Sequence, residues 1–298
     1  MQSFDDLQLA FSPESLRLLN ACIALIMLGV ALDLKKENFM MLLKTPKPIL
    51  VVMASQLLLL PALTALLILV FHVPLYLGLG MILVASCPGG NVSNFFTSLA
   101  GGHLELSISA TTLSSLLSAL LTPLNFALYA GLLYSGSVEA QFEVNLWDMF
   151  TTIFLIIVLP SILGYQLSRR FPSMVSKLKK PLRWFSFLFL IGFIGVALGK
   201  NFDHFLNYLD RVFLLVLIQN ASAFFSGFTL AYLFKLSIPQ RITAAMETGI
   251  QNSGLGLIII FTFFDGNGPM SFIAAWWGIW HIVAGGVVAL ASQRIVKT

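Results

Sequence analysis

Apolar residues run along most of this chain in long blocks, and polar residues gather in the short gaps between them. A helix crosses the hydrocarbon core of a bilayer in roughly 20 residues, so the block length is informative. Nine blocks stand out, at about 15–33, 48–71, 75–101, 103–133, 146–167, 181–202, 210–234, 239–264 and 270–293. The runs are continuous rather than alternating, which predicts spanning helices and not a barrel. The expected fold is an all-α polytopic membrane protein with nine transmembrane helices. Two blocks are interrupted, the third by SCPGGNVSN (Ser86 to Asn94) and the eighth by METGIQNSG (Met246 to Gly254).

The first interruption carries Pro88, which cannot donate a backbone hydrogen bond, and Gly89 and Gly90, which accept unusual dihedrals. Irregular backbone at membrane depth is tolerated only where it is buried in protein or lines a watery cavity. A half-helix restarting near Asn91 turns its positive end toward that cavity, a natural site for an anion. A faint echo links the two halves: Gln56 in the second block, Gln219 and Asn220 in the seventh, and a break in the third and eighth. Nine helices fit two inverted repeats of five with the first helix missing. Paired broken helices then point to a transporter's binding site.

Of the 13 acidic residues, Glu247 alone lies well inside a block. A charge at the centre of a spanning helix costs about 3 kcal/mol on insertion scales. No lysine or arginine lies at a comparable depth to offset it. Three readings stay open from the residues: a protonated side chain, a neutral acid packed between helices, or a carboxylate holding a dissolved cation. The neighbours favour the cation. Gln251 falls four residues on, Asn252 and Ser253 add oxygens, and Gly249 and Gly254 permit unwound backbone whose carbonyls suit a hard ion. The fourth block adds Ser107, Thr111, Ser114, Ser118, Thr122 and Asn125 at helical spacing, one polar stripe on one face.

Other polar residues carry less. His103 reads as a helix cap. His281, within WWGIWHIVAGG, reads as either a helix-packing hydrogen bond or a substrate contact. Cys22 and Cys87 read as free buried thiols. No histidine and cysteine spacing suggests zinc, and no phosphate-binding loop suggests ATP hydrolysis. Active transport would therefore draw on an ion gradient, and no enzyme chemistry is expected.

Composition agrees. Hydrophobic residues make up 58% of the 298 and charged residues 10%, against about 25% charged in soluble domains. Mean hydropathy is +0.90. The acidic first residues, without a basic n-region, predict no cleavable signal peptide. All of the 17 basic residues except Arg17, Lys200 and Arg211 fall on one side of the nine-helix topology. The positive-inside rule then places the N-terminus outside and the C-terminus in the cytoplasm. The expected location is the plasma membrane, or the inner membrane in a bacterium.

CPGGNVSN, ETGIQNSGLG, Gln56 within ASQLLLLPA, and LTP at Leu121 to Pro123 together resemble the bile acid:sodium symporter family, in its nine-helix form. The resemblance runs from the first block to His281. It implies one transporter domain over 1–298, split into a core (48–133 and 210–293) and a panel (15–33 and 146–202), with the broken helices crossing in the core. It implies two sodium ions. The first would be held by Ser93, Asn94, Ser107, Thr111 and Glu247. The second would be held by Gln56, Glu247 and Gln251, with backbone oxygens of Glu247, Thr248 and Ile250. Asn91, Asn252 and His281 would meet the substrate. Asn91 stands where the family often has threonine, and Ile282 where many members have asparagine; both positions face the expected substrate cavity. The implied function is sodium-coupled symport of an organic anion, bile-acid-like or a small carboxylate or sulfonate, by alternating access. The rivals are a proton-coupled carrier using Glu247 and an anion-binding membrane receptor.

Overall fold

The structure is a computed structural model, and it describes residues 13–32, 46–134, 145–199 and 202–296. These residues are almost wholly helical, and among them no strand occurs, only an isolated antiparallel bridge between Gly89 and Gln251. The helices are α1 (Pro13–Ala31), α2 (Pro46–Phe71), α3 (Leu75–Ser86), α4 (Val92–Leu99), α5 (Leu104–Tyr134), α6 (Leu146–Arg170), α7 (Pro172–Gly199), α8 (Phe202–Leu233), α9 (Ile238–Gly249), α10 (Ser253–Phe263) and α11 (Gly268–Val296).

Five stretches are long and apolar enough to cross a membrane: Pro46–Phe71, Leu104–Tyr134, Leu146–Arg170, Val212–Leu233 and Gly268–Arg294. The half-helices α3 and α10 are apolar but short. Each is one side of an interruption read from the sequence, with α4 and α9 on the other side. The basic residues at 35, 36, 44, 200 and 297 lie outside the described residues.

Large apolar side chains cover the outer surface. Leu58, Leu69, Leu132, Phe225, Val287 and Leu290 are all more than half exposed. A bilayer, not water, is the solvent that suits such a surface. The interior is divided. One apolar cluster joins α3, α10 and α11, with Leu83, Ile259 and Trp277 fully buried. A second lies where α2 meets α5, around Val52 and Leu106. A third surrounds the α4 and α9 halves, with Phe96, Met246 and Ile250. α1 packs on α6 and α7, whereas α8 packs chiefly on α9, and then on α2 and α11.

Two helices change pitch before a proline. α2 adopts a π wind over Ser55–Leu59 ahead of Pro61, and α6 does so over Phe154–Val158 ahead of Pro160. Proline lacks the N–H that the carbonyl four residues earlier would accept, so the helix rewinds locally. Cys22 and Cys87 are both free thiols, but only Cys87 is buried as expected; Cys22 is half-buried.

Candidate functional site

The two interruptions meet. α3 ends at Ser86, and Cys87 is extended at φ −69° and ψ 156°. α9 ends at Gly249, and Ile250 is extended at φ −117° and ψ 99°. The two extended stretches cross and exchange main-chain hydrogen bonds. Gly90 N donates to Ile250 O at 2.9 Å, and Asn252 N donates to Pro88 O at 2.8 Å. Groups freed by each broken helix are thus partly satisfied by the other, as burial requires. The crossing needs glycine: a Cβ on Gly90 would lie 3.0 Å from Gln251 O, and one on Gly89 would lie 2.7 Å from Gln56 Nε2.

Glu247, in the last turns of α9, is completely buried beside this crossing. Three hydroxyls reach its carboxylate. Ser93 Oγ, from α4, and Ser107 Oγ, from α5, each donate to Oε1 at 2.5 Å. Thr111 Oγ1, one turn further along α5, donates to Oε2 at 2.9 Å. Asn94 completes the group: its Oδ1 lies 2.8 Å from Ser107 Oγ and 3.4 Å from Thr111 Oγ1. All five residues assigned to a first sodium site therefore come together.

Proton counting describes what this cluster lacks. Ser107 Oγ stands within hydrogen-bond distance of Glu247 Oε1, Asn94 Oδ1 and Thr97 Oγ1, yet a hydroxyl has one proton to give. Thr111 is shared in the same way between Glu247 and Asn94. The cluster holds more oxygen lone pairs than donors. Among the described residues no ion pair includes Glu247. A hard cation would supply both charge and an acceptor of lone pairs, and a proton on the carboxyl would supply one further donor. No group of three His, Cys, Asp or Glu side chains occurs among the described residues, so the donor set does not resemble a transition-metal site.

The second group of residues also converges on Glu247. Gln56 Nε2 donates to the Glu247 carbonyl at 2.7 Å, and Gln251 Nε2 donates to the Thr248 carbonyl at 2.9 Å. Both carboxamide oxygens, Gln56 Oε1 and Gln251 Oε1, are buried with no hydrogen-bond partner. Gln251 reaches this place by a different route from that expected. It does not follow Glu247 by one helical turn, because α9 ends at Gly249 and Gln251 lies on the extended crossing. The Ile250 carbonyl accepts from Gly90 N and so serves the crossing.

The residues assigned to a substrate are less tightly placed. Asn91 and Asn252 are the N-cap positions of α4 and α10 and stay half-buried. Asn252 Oδ1 accepts from Leu255 N at 3.1 Å, so part of this side chain is used as a cap. His281 is buried in α11, and both its ring nitrogens lack a partner. His103 is a cap as expected, accepting at Nδ1 from Leu106 N at 3.3 Å.

Several contributors have contacts that the sequence reading did not assign. Thr97 is buried one turn after Ser93 and adds a hydroxyl to the first group. Ser55 Oγ pairs with Thr248 Oγ1 at 2.7 Å and ties α2 to α9. Asn220 Nδ2 donates to Gly249 O at 2.7 Å and so caps the end of α9 from α8. The four-residue spacing from Ser93 and the adjacency of Ser55 to Gln56 were the available signals.

Residues 20–208 match the family model described as the Sodium Bile acid symporter family. The chain belongs to that family. The matched region contains the first interruption and the α5 hydroxyls and stops before Glu247. Whole-chain comparisons extend further. The chain is 29% identical over 276 residues to the uncharacterized sodium-dependent transporter YocS of Bacillus subtilis, covering 92% of this chain and 83% of YocS. It is 26% identical over 277 residues to the hepatic sodium/bile acid cotransporter of Rattus norvegicus, covering 92% of this chain and 75% of that protein. It is 32% identical over 231 residues to the P3 protein of Mus musculus, covering 78% of this chain. The chain spans about half of the P3 protein's length, 47%.

Proposed function

We propose that this member of the family is a sodium-coupled symporter of an organic anion, working by alternating access across a membrane it crosses nine times. The observation that carries the reading is Glu247, a buried acid with no ion-pair partner among the described residues, ringed by oxygens that exceed the available protons. Sodium is the transported co-substrate. Ser93, Asn94, Ser107, Thr111 and the Glu247 carboxylate form its first site. Gln56, Gln251 and the carbonyl oxygens around Glu247, Thr248 and Ile250 form its second, with Glu247 shared between them. A carboxylate shared by two cations offsets part of the desolvation of each.

Sodium on these residues would hold α4, α5, α9 and the crossing in one arrangement. The α4 and α10 N-termini then face the anion, with Asn91, Asn252 and His281 as polar contacts. The packing of α1 on α6 and α7 supports a panel that moves against a core built around the crossing. The names carried by the hepatic bile acid cotransporter and by YocS support sodium coupling. The substrate is a bile-acid-like or smaller carboxylate or sulfonate. The basic loops support an N-terminus outside and a C-terminus in the cytoplasm.

The test is uptake of radiolabelled anions, taurocholate and a small keto acid among them, into proteoliposomes. An inward sodium gradient is expected to drive accumulation that an equal potassium gradient does not. Uptake indifferent to sodium but driven by a pH gradient would replace sodium with a proton at Glu247. Saturable binding without uptake would make the protein a receptor.

A further inference from the structure

The π wind of α2 carries Gln56, and its geometry has a partner far away in the chain. Pro61 has no N–H, so the Leu57 carbonyl, four residues earlier, loses its α-helical donor. Leu60 N does not restore the regular pattern, because it donates to Ser55 O, five residues back. An unpaired carbonyl at membrane depth is costly. The Leu57 carbonyl is instead met by Asn125 Nδ2 from α5 at 2.8 Å. That side chain stands at the far end of the polar stripe whose near end, Ser107 and Thr111, touches Glu247.

We propose that Asn125 is a positioning residue for the second sodium site, acting through the Leu57 carbonyl on the wind that aims Gln56. This rests on the sodium reading above. A π wind accommodates one extra residue, so relaxing it to regular α geometry turns one flank against the other by about 100°. Gln56 now donates to the Glu247 carbonyl at 2.7 Å with Oε1 left open. A turn of that size takes its carboxamide away from Glu247. Asn125 meets a carbonyl that Pro61 leaves without its α-helical donor, and so ties α5 to the wind one residue from Gln56, while a regular helix would push that carbonyl toward the proline ring. α6 provides an internal contrast. Its wind before Pro160 carries Phe154, Leu155, Ile156, Ile157 and Val158, all apolar, so the same device there has packing consequences alone.

The probe is sodium alone. Purified full-length protein is titrated with NaCl against KCl at constant ionic strength, followed by intrinsic tryptophan fluorescence, and melted in parallel in each salt. Asn125→Ala is expected to raise the half-saturating sodium on the order of tenfold, the consequence of one lost positioning hydrogen bond. The Hill coefficient falls toward one, because the first site keeps its ligands. Asn125→Gln, which keeps the amide donor, recovers part of the affinity. Pro160→Ala changes the melting temperature in KCl without moving the sodium midpoint. Pro61→Ala restores a backbone donor for Leu57, so adding Asn125→Ala to it produces no further loss. Should Asn125→Ala fail to fold, Asn125→Asp, which fills the same space without an N–H, takes its place. A sodium midpoint equal to wild type in the Asn125 variants, or equal losses with and without Pro61, overturns the positioning role. A wild-type protein that responds identically to both salts overturns the sodium reading beneath it.

Discussion

Glu247 concentrates the chemistry in one side chain. Glu247→Gln keeps its shape and removes the charge, so the hydroxyls of Ser93 and Ser107 keep an acceptor and Thr111 can turn to accept from the amide, while the reason to hold a cation is gone. The expected outcome is a protein that melts normally in KCl and gains no stability from NaCl, checked by thermal melts in the two salts. Gln251→Ala is milder. It removes one open oxygen from the second group and is expected to lower the Hill coefficient for sodium while leaving one binding event, checked by titration. The sequence made Glu247 legible because it is the single acid deep in an apolar block. Ser93 and Asn94 drew attention because they stand at the break, and Ser107 and Thr111 because of their helical spacing. Gln251 was found for a reason the structure revises. Four residues on a helix would have placed it one turn from Glu247, whereas the chain unwinds at Gly249 and delivers it by an extended path. Thr97 was not legible, because a threonine within an apolar half-helix looks like any small packing residue.

At the scale of elements, the crossing depends on close backbone approach. Gly89→Ala would set a methyl 2.7 Å from Gln56 Nε2 and 3.1 Å from Glu247 Oε2. Relief requires moving both sodium groups, so the variant is expected to lose about 1–3 kcal/mol of stability and its sodium response together, checked by melts in both salts. Asn220→Leu acts from outside the crossing. It leaves Gly249 O without its 2.7 Å donor at the end of α9, with an expected cost of about 1–3 kcal/mol read from denaturation in KCl. The interruptions themselves were plain in the sequence, since proline, paired glycines and amides have no other use in an apolar block. The π winds were not plain. Pro61 and Pro160 each follow an unremarkable run of apolar residues, and how the helix absorbs the missing donor is not written there; before Pro61 the freed carbonyl is met by Asn125 from another helix. Long-range partners of that kind leave no local mark.

For the whole molecule, composition and apolar periodicity determined the class, and the exposed leucines and phenylalanines of the outer surface agree with it. How the helices group is a matter of tertiary contact, which leaves little trace in a single sequence. A prediction belongs to this scale. On the proposed reading, two sodium ions moving with one monovalent anion would carry one net positive charge inward. An inside-negative potential adds about 2.3 kcal/mol per charge per 100 mV to the driving force. Uptake into proteoliposomes is therefore expected to rise when a potassium diffusion potential, set with valinomycin, makes the interior negative, and to show no such rise if the exchange is electroneutral.

The two bonds joining Gly90 to Ile250 and Asn252 to Pro88 use main-chain atoms alone, so no substitution short of proline at 90 or 252 removes their donors or acceptors. They rivet the first half of the polypeptide to the second. Pulling the two apart would strand buried amides without partners. A movement of the surrounding helices that leaves the rivet shut has to hinge around it, and the two interruptions would then travel as one stiff body.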